Sequence, residues 1–468
     1  MASKRAHGIA AIFAVALPCL TLPANGRAQS VAAASHADQD PFTIPTGLRT
    51  QVEFWKKIFG TYSIHQVAIH DALYLDRVYK VLDFRPLVAA GMSDVEIDAV
   101  RHRTVEQETA KVRATLLRLH QLGSDGADTS ALSEDERKIW ALFQGVKQGR
   151  DLLAAAEPDR LRTQSGLKER FARGIEVGAR YWPEIERIFR AAGVPRELTR
   201  LPLVESCFNV RAYSKAGAAG VWQFMPTTAR RFMRVDHAVD ERRDPVIAAR
   251  AAAEYLRADY EALGRWPLAI TAYNHGRAGV AHAVAVVDST DIVDIVHRYH
   301  GPAFKFASRN FYAEFLAALA IERQAAAGHL GDLNYEPATP TTVVQVPDYV
   351  KLSALATCAD TSMDTLVDLN PALTPDVIAG KLRVPRGYAL RIPAGNSSRF
   401  HERYAQLAPQ HKAADQPRTY VVHRVKRGQT LVAIARQYGT TVNAIQKRNN
   451  LSRRKALRAG QALEIPRG

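Results

Sequence analysis

Leu201-Pro202-Leu203-Val204-Glu205-Ser206 sets a single carboxylate into an apolar run. A carboxyl surrounded by leucine and valine is costly to ionise, so its pKa is expected to rise until it holds a proton near neutrality and can donate it. Such a group suits a general acid acting on a glycosidic oxygen. The plainer alternative is a glutamate that caps or salt-bridges a helical core, since perturbed carboxylates are also structural. Around it the periodicity is helical. Pro195 suits a first helical turn, after which Leu198, Leu201, Val204 and Glu205 fall near one face, and Pro202, lacking a backbone donor, predicts a kink or break. Alanines on a helical pattern from Ile247 to Leu263 imply close helix packing, and the expected fold class is mainly α.

The chain of 468 residues is 47% hydrophobic and 24% charged, which is globular composition with material for three or four modules. Lys4 and Arg5 precede an apolar stretch from Ile9 to about Leu22, and Gly26-Arg27-Ala28 offers small residues for cleavage. Residues 1–28 are therefore expected to be a signal peptide, with a short buried helix or a membrane anchor as the alternatives. Cys19 raises lipid attachment, but Pro18 immediately before it argues against that anchor. Cys207 and Cys358 do not suggest a disulfide framework, and Cys207 reads as a buried small hydrophobe. Of the net charge of +16, about ten units lie in the last module, where eleven Lys/Arg from Thr419 onward face Glu464 alone. A basic patch can mean nucleic acid, an anionic membrane or another polyanion.

From Gln51 onward Val52, Trp55, Ile58 and Phe59 recur at helical spacing, and Tyr74, Val78, Val81 and Leu82 read likewise. A long charged helix is expected from Asp94 to Leu122, and Ser133 with Glu136 forms a capping-box pattern opening a helix over 134–148. Residues 50–165 thus read as an N-terminal helical region, a support without chemistry of its own. After Gly331 the sequence turns rich in Pro, Thr and Val, and a stretch over 395–418 reads as a linker. No Cys/His cluster has zinc spacing, no Gly-rich phosphate loop follows a strand and no calcium loop is legible, so neither metal nor cofactor is expected.

The carboxylate stands among linked motifs: Gly193-Val194-Pro195-Arg196-Glu197-Leu198, Glu205-Ser206-Cys207-Phe208-Asn209, Ser214 to Gly220, Gly220-Val221-Trp222-Gln223-Phe224-Met225-Pro226, Asp240 to Pro245, and Ala272-Tyr273-Asn274-His275-Gly276. In order and spacing these resemble the catalytic domain shared by goose-type lysozyme and the lytic murein transglycosylases, most closely the membrane-bound D type. The resemblance covers about residues 167–328 and implies a lysozyme-like α-helical catalytic domain over 166–330. It implies that Glu205 is acid first and base second, cleaving the β-1,4 bond between N-acetylmuramic acid and N-acetylglucosamine without water to leave 1,6-anhydro ends. It further implies substrate contacts from Ser214, Gln223, Phe224, Met225, Tyr273 and Asn274; taken singly, Ser214 reads as a loop or cap residue and Phe224 and Met225 as core. Ala307 stands where many relatives carry a second glutamate, so that glutamate's acetamido contact is not expected, and His275 replaces a small residue.

Val343-Val344-Gln345-Val346 through Leu390-Arg391-Ile392-Pro393 resembles a degenerate strand-helix-helix-strand LysM unit over 341–394. A clear copy over 419–467 pairs Lys426-Arg427-Gly428-Gln429-Thr430-Leu431 with Asn449-Asn450-Leu451 and Gly460 to Pro466. The resemblance implies α+β modules of βααβ order that bind glycan through Gly428, Gln429, Thr430, Leu431, Asn450 and Leu451. The expected partner is peptidoglycan glycan, in the periplasm or cell envelope, with membrane association through the signal segment left open and no role for nucleic acid. A hydrolytic muramidase and a non-catalytic wall-binding scaffold remain the competing readings.

Overall fold

The computed structural model describes residues 42–124, 130, 132–144, 151–328, 330–417, 420–449, 451 and 457–466. The expected signal segment with Cys19, and Asn450, lie outside the described residues. Contacts group the chain into two compact units: residues up to Met233 with Pro245–Ala338, and Arg234–Asp244 with the residues from Thr339 onward.

The first unit is mainly helical. Helix α1 (Arg49–Gly60) buries Val52, Phe54, Trp55, Ile58 and Phe59, as its spacing requires. The next expected helix, around Tyr74 to Leu82, is instead part of an antiparallel sheet of strands β1 (Gln66–Asp71), β2 (Val78–Asp83) and β3 (Leu161–Ser165), in the order β2-β1-β3. Apolar residues this few fit either period, and pairing of Val67 with Leu82 and of Ile69 with Thr163 decides for the strand. The carboxylate of Asp71, wholly buried, closes β1 by bonding Arg160 at 2.6 Å and the Tyr79 hydroxyl at 3.1 Å. Helix α2 (Asp94–Ser124) lays Ile97, Val112, Leu116 and Leu119 against this sheet's apolar side chains. Helix α3 (Glu134–Ala141) carries the expected capping box, Ser133 Oγ accepting from Glu136 N and Glu136 from Ser133 N.

Helix α4 (Lys168–Ala191) continues through Pro183, and a 3-10 turn over Arg196–Arg200 leads into the short helix α5 (Leu201–Ser206). Pro202 therefore stands in the first turn of α5, where the missing N–H has no partner to lose, and the expected break is the change from the 3-10 turn to α5 just before it. Helix α5 stops because Cys207 and Phe208 both take positive φ. Gly174 of α4 makes room for that stop, since a Cβ there would come 2.5 Å from the Cys207 carbonyl oxygen. Helix α6 (Pro245–Leu263) buries Ala248, Ala249, Ala251, Ala252 and Ala253, and α4 and α7 (Trp266–His275) pack on it. Helix α8 (Phe306–Ala326) is buried along most of its length and touches α1, α5 and α7. Burying aliphatic and aromatic side chains of this size contributes roughly 1.5–3 kcal/mol each, the dominant favourable term for such a body.

The second unit repeats one motif. Strand β4 (Thr341–Gln345), helices α9 (Leu352–Cys358) and α10 (Met363–Leu369) and strand β5 (Ala389–Pro393) form the first βααβ module, β4 and β5 pairing antiparallel from Thr341–Pro393 to Gln345–Ala389. The stretch 395–418, expected as a linker, corrects that reading: helix α11 (Ser397–Gln406) inserts Phe400 and Tyr404 into the same core, and Gln416 bonds both backbone groups of Arg383. Its alternation of Gln, His and Ala hides two aromatic anchors four residues apart on one helical face. Strand β6 (Tyr420–Arg424), helices α12 (Leu431–Gln437) and α13 (Val442–Arg448) and strand β7 (Ala462–Pro466) form the terminal module around its own core of Val425, Ile434, Ala435, Ile445, Leu463 and Ile465.

Candidate active site

Glu205 occupies the last turn of α5 behind the buried Leu201, Leu203 and Val204. Its side chain keeps partial exposure, yet desolvation pushes the carboxyl up to about 8. This is the state a proton donor needs at neutral pH. Next to it, Ser206 Oγ donates to the Val221 carbonyl at 3.0 Å, joining the end of α5 to the segment 220–226. Trp222 in that segment is fully buried, stacks on Phe189 at 5.5 Å and donates its indole N–H to the Pro245 carbonyl. The Tyr273 hydroxyl of α7 donates to the Trp222 carbonyl at 2.8 Å. Burial and then the charge of Glu205 hold that phenol well above its ordinary range, so it stays a donor beside the acid.

The other expected residues are placed as follows. Ser214 Oγ accepts from Ala218 N at 2.9 Å and Ser214 N donates to Ala218 O, closing a turn around Gly217 at φ 95°. Its hydroxyl thus holds the loop, the local role a serine takes most readily. Gln223 sits at φ 50° and its amide donates to Gly220 O at 2.7 Å. Phe224 is buried, edge-on to Tyr273 at 6.0 Å and to Tyr255 at 6.4 Å, which makes it a wall of the core behind the site rather than a sugar platform. Met225 remains partly exposed. Asn274 Oδ1 accepts from Ser308 Oγ at 3.0 Å, and His275 Nδ1 lies 3.1 Å from the same hydroxyl, so α7 and α8 are tied at the start of α8 next to Ala307. Burial lowers the His275 pKa and keeps its imidazole neutral. The Cys207 thiol is pushed up to about 12 by burial, which excludes a nucleophile there.

One residue escaped the sequence reading. Glu314 of α8 is 1% exposed, its Oε2 has no hydrogen-bond partner among the described residues, and burial followed by the charge of Glu205 raises its carboxyl to about 8. Two carboxyls within electrostatic reach of each other cannot both ionise cheaply. Both carboxyls are therefore held protonated through neutrality, each up to about 8. The criterion that singled out Glu205 would have found it, since Phe311-Tyr312-Ala313-Glu314-Phe315-Leu316 is also an apolar run around one carboxylate.

In the terminal module the expected glycan residues that are described are engaged internally. Gly428 takes φ 77°, Gln429 Oε1 accepts from Lys426 N at 2.9 Å and lies 2.8 Å from His423 Nε2, and Thr430 caps α12 through Ala433 N. Leu431 and Leu451 pack on the module's core. A depression of about 770 Å³ between α4 and α6, lined among others by Arg187, Arg250, Glu254 and Arg257, contains none of the expected catalytic residues. Among the described residues no group of three His, Cys, Asp or Glu is arranged to hold a metal.

With this geometry in place, comparison with known families is decisive for residues 185–295, which match the transglycosylase SLT domain. Over those residues the chain is similar to SLT domains. Residues 340–409 match the LysM-like domain of lytic transglycosylase MltD and residues 423–466 the LysM domain. The membrane-bound lytic murein transglycosylase D of Escherichia coli K12 is 27% identical over 305 residues, covering 62% of this chain and 63% of that protein. The chain thus spans less than two thirds of that relative's length. A protein named as a tributyltin chloride resistance protein of Alteromonas sp. M-1 is 38% identical over 96 residues, 20% of this chain and 45% of its own. Two solved structures align with part of the chain: the lytic transglycosylase Slt of Pseudomonas aeruginosa, at 16% identity and TM-score 0.27 over 49% of this chain and 38% of its own, and the 70 kDa soluble lytic transglycosylase of Escherichia coli, at 15% and 0.28 over 52% and 47%. The SLT match contains Glu205, Ser214, Gln223, Phe224, Met225, Tyr273 and Asn274, and ends before Glu314.

The raised pKa fixes an expected pH dependence. A Glu205 that acts as proton donor must be protonated, so any turnover it supports should hold through neutrality and fall about tenfold per unit above about pH 8. A descending limb that starts near pH 5 would place the essential proton on an ordinary solvated carboxylate instead.

Proposed function

We propose that the chain is a lytic transglycosylase of peptidoglycan, with Glu205 as its one proton-transfer residue. The observation that carries this is a desolvated carboxyl near pKa 8 at the partly exposed end of α5, inside the SLT match. Glu205 gives its proton to the oxygen between N-acetylmuramic acid and N-acetylglucosamine, while the substrate's acetamido oxygen closes on the anomeric carbon as that bond breaks. The carboxylate so formed takes the proton of the muramyl C6 hydroxyl, whose oxygen displaces the acetamido group and leaves a 1,6-anhydro end. One carboxylate then serves where most glycosidases need two. Tyr273 and the Trp222 carbonyl fix the segment facing the acid, and Gln223, Met225 and Asn274 are the groups proposed to meet the sugars. Ser214 contributes by holding the 214–218 turn in place.

The terminal module is proposed to tether the enzyme to the wall in the cell envelope, its excess of basic residues favouring acidic stem peptides. Export through residues 1–28 is part of the same proposal. Mass spectrometry of the muropeptides released by the purified chain tests it. Anhydro-muramyl ends are expected; reducing ends would make the protein a hydrolytic muramidase, and no release would make it a binding scaffold.

A further inference from the structure

The two βααβ modules use one internal clamp. In the terminal copy Asn449 Nδ2 donates to the Ile445 and Glu464 carbonyls, and its Oδ1 accepts from Glu464 N. In the first copy Asn370 does the same with Leu366, Arg391 and Arg391 N. Asn370 thus corresponds to Asn449 and Arg391 to Glu464. The copies differ in what that last side chain does. Glu464 pairs within its own module, with Arg448 at 2.8 Å. Arg391 pairs with Asp244, which is 1% exposed and belongs to the segment Arg234–Asp244.

That segment is built to insert. Val235 bridges Asp240 antiparallel, Asp236 Oδ1 accepts from Ala238 N and Val239 N at 2.8 Å, and Asp240 holds Arg242 by two bonds of 2.8 Å. The resulting hairpin places Val239 in the first module's apolar core at full burial. Its backbone joins the loop that follows the clamp asparagine: Val239 bridges Leu373, Asp240 N donates to Ala372 O at 2.8 Å, and Thr374 donates through N to Ala238 O and through Oγ1 to His237 O. We propose that the first module is an internal dock for the hairpin 234–244, holding a part of the SLT sequence in place, and that it is not a second glycan-binding module. The hairpin lies within the SLT match, and its downstream neighbour Pro245 accepts the Trp222 indole N–H, whose residue in turn accepts from Tyr273. The proposal extends to turnover only through the chain's continuity from Asp244 into Pro245, whose carbonyl holds Trp222.

The consequence for turnover rests on the proposed reaction; the docking itself does not, and the test separates them. In the full chain, Arg391→Asp places two like charges at the buried pair, Asp244→Arg does the same with opposite sign, and the double substitution restores attraction. Limited trypsin digestion reads docking without reference to activity: each single variant should be cut after Arg242 or Arg243, and the double variant should resist. Initial rates on soluble glycan chains should fall about tenfold or more in the singles, as for a displaced positioning element, and recover in the double. Retention on purified sacculi should stay at the wild-type level throughout. Loss of retention with unchanged soluble turnover would make the module a glycan reader and overturn the proposal. So would singles as resistant to trypsin as the wild type, or a folded double variant that recovers neither resistance nor rate. A wild-type chain without turnover, but with the expected trypsin pattern, would refute the proposed reaction and leave the dock standing.

Discussion

Glu205→Gln is expected to abolish formation of anhydro-muramyl products while leaving the fold intact. The amide matches the carboxyl in shape and, being neutral, sits in the desolvated pocket at no greater cost than the protonated acid it replaces. It can neither deliver the proton to the leaving oxygen nor reclaim one from the C6 hydroxyl. General acid–base catalysis contributes roughly 10²–10⁴-fold for one such transfer, and here a single group performs both, so a loss of at least about 10³-fold is expected. The thermal midpoint should be unchanged or slightly raised, because the raised pKa of about 8 means that the wild-type carboxyl resists ionising in its site. The sign follows from linkage: a carboxyl whose folded pKa lies above its unfolded value contributes its full stability below the unfolded pKa and loses it as pH rises. The glutamine variant should therefore gain on the wild type most clearly above neutrality. A well-folded variant that kept several per cent of wild-type turnover would show that the proton comes from elsewhere. Glu314, the other enclosed carboxyl in electrostatic reach, would be the first place to look.

Ending the chain after Pro417 is expected to lower retention on insoluble sacculi by about 10²-fold, the scale on which tethering raises effective concentration, with soluble glycan turnover nearly unchanged. The position of the cut matters. An end at residue 394 would remove Phe400 and Tyr404 from the first module's core and Ala413 from its pairing with Tyr349, so its effect would mix tethering with unfolding. After Pro417 only the terminal module is lost, and its core of Val425, Ile434, Ile445, Leu463 and Ile465 is separate. Part of the lost binding should be salt-sensitive, because exposed charges are screened beyond about 8–10 Å at physiological ionic strength. Pulldown with purified sacculi at low and high salt compares the two chains. Equal retention would remove the terminal module from the role of wall anchor.

Glu205 and the helices around it were legible in the sequence because the signals are local. Apolar spacing over 49–60 and 245–263, a proline in a first turn and a Ser-x-x-Glu capping box each depend on residues a few positions apart. The two βααβ modules were legible through their resemblance to LysM, carried by motifs such as Lys426 to Leu431 and Gly460 to Pro466. The sheet β2-β1-β3 was not, since β3 joins β1 from about ninety positions away and only the pairing of β2 with β1 distinguishes Val78–Asp83 from a helical turn. The packing of α11 and the docking of Arg234–Asp244 were hidden likewise, because an aromatic or an aspartate reads as ordinary surface until a distant partner buries it.

Sequence alone determined which carboxylate sits in an apolar helix end, that the body is mainly helical and that it ends in LysM-type modules. Tertiary structure alone decided what surrounds that carboxylate: a second protonated glutamate from α8, a tyrosine from α7 anchored on the Trp222 carbonyl, and Ser214 and Phe224 turned to hold a loop and the core. The physical reason is that hydrophobic periodicity is written in neighbouring residues, whereas desolvation and charge coupling depend on the whole shell of atoms that folding brings around a group.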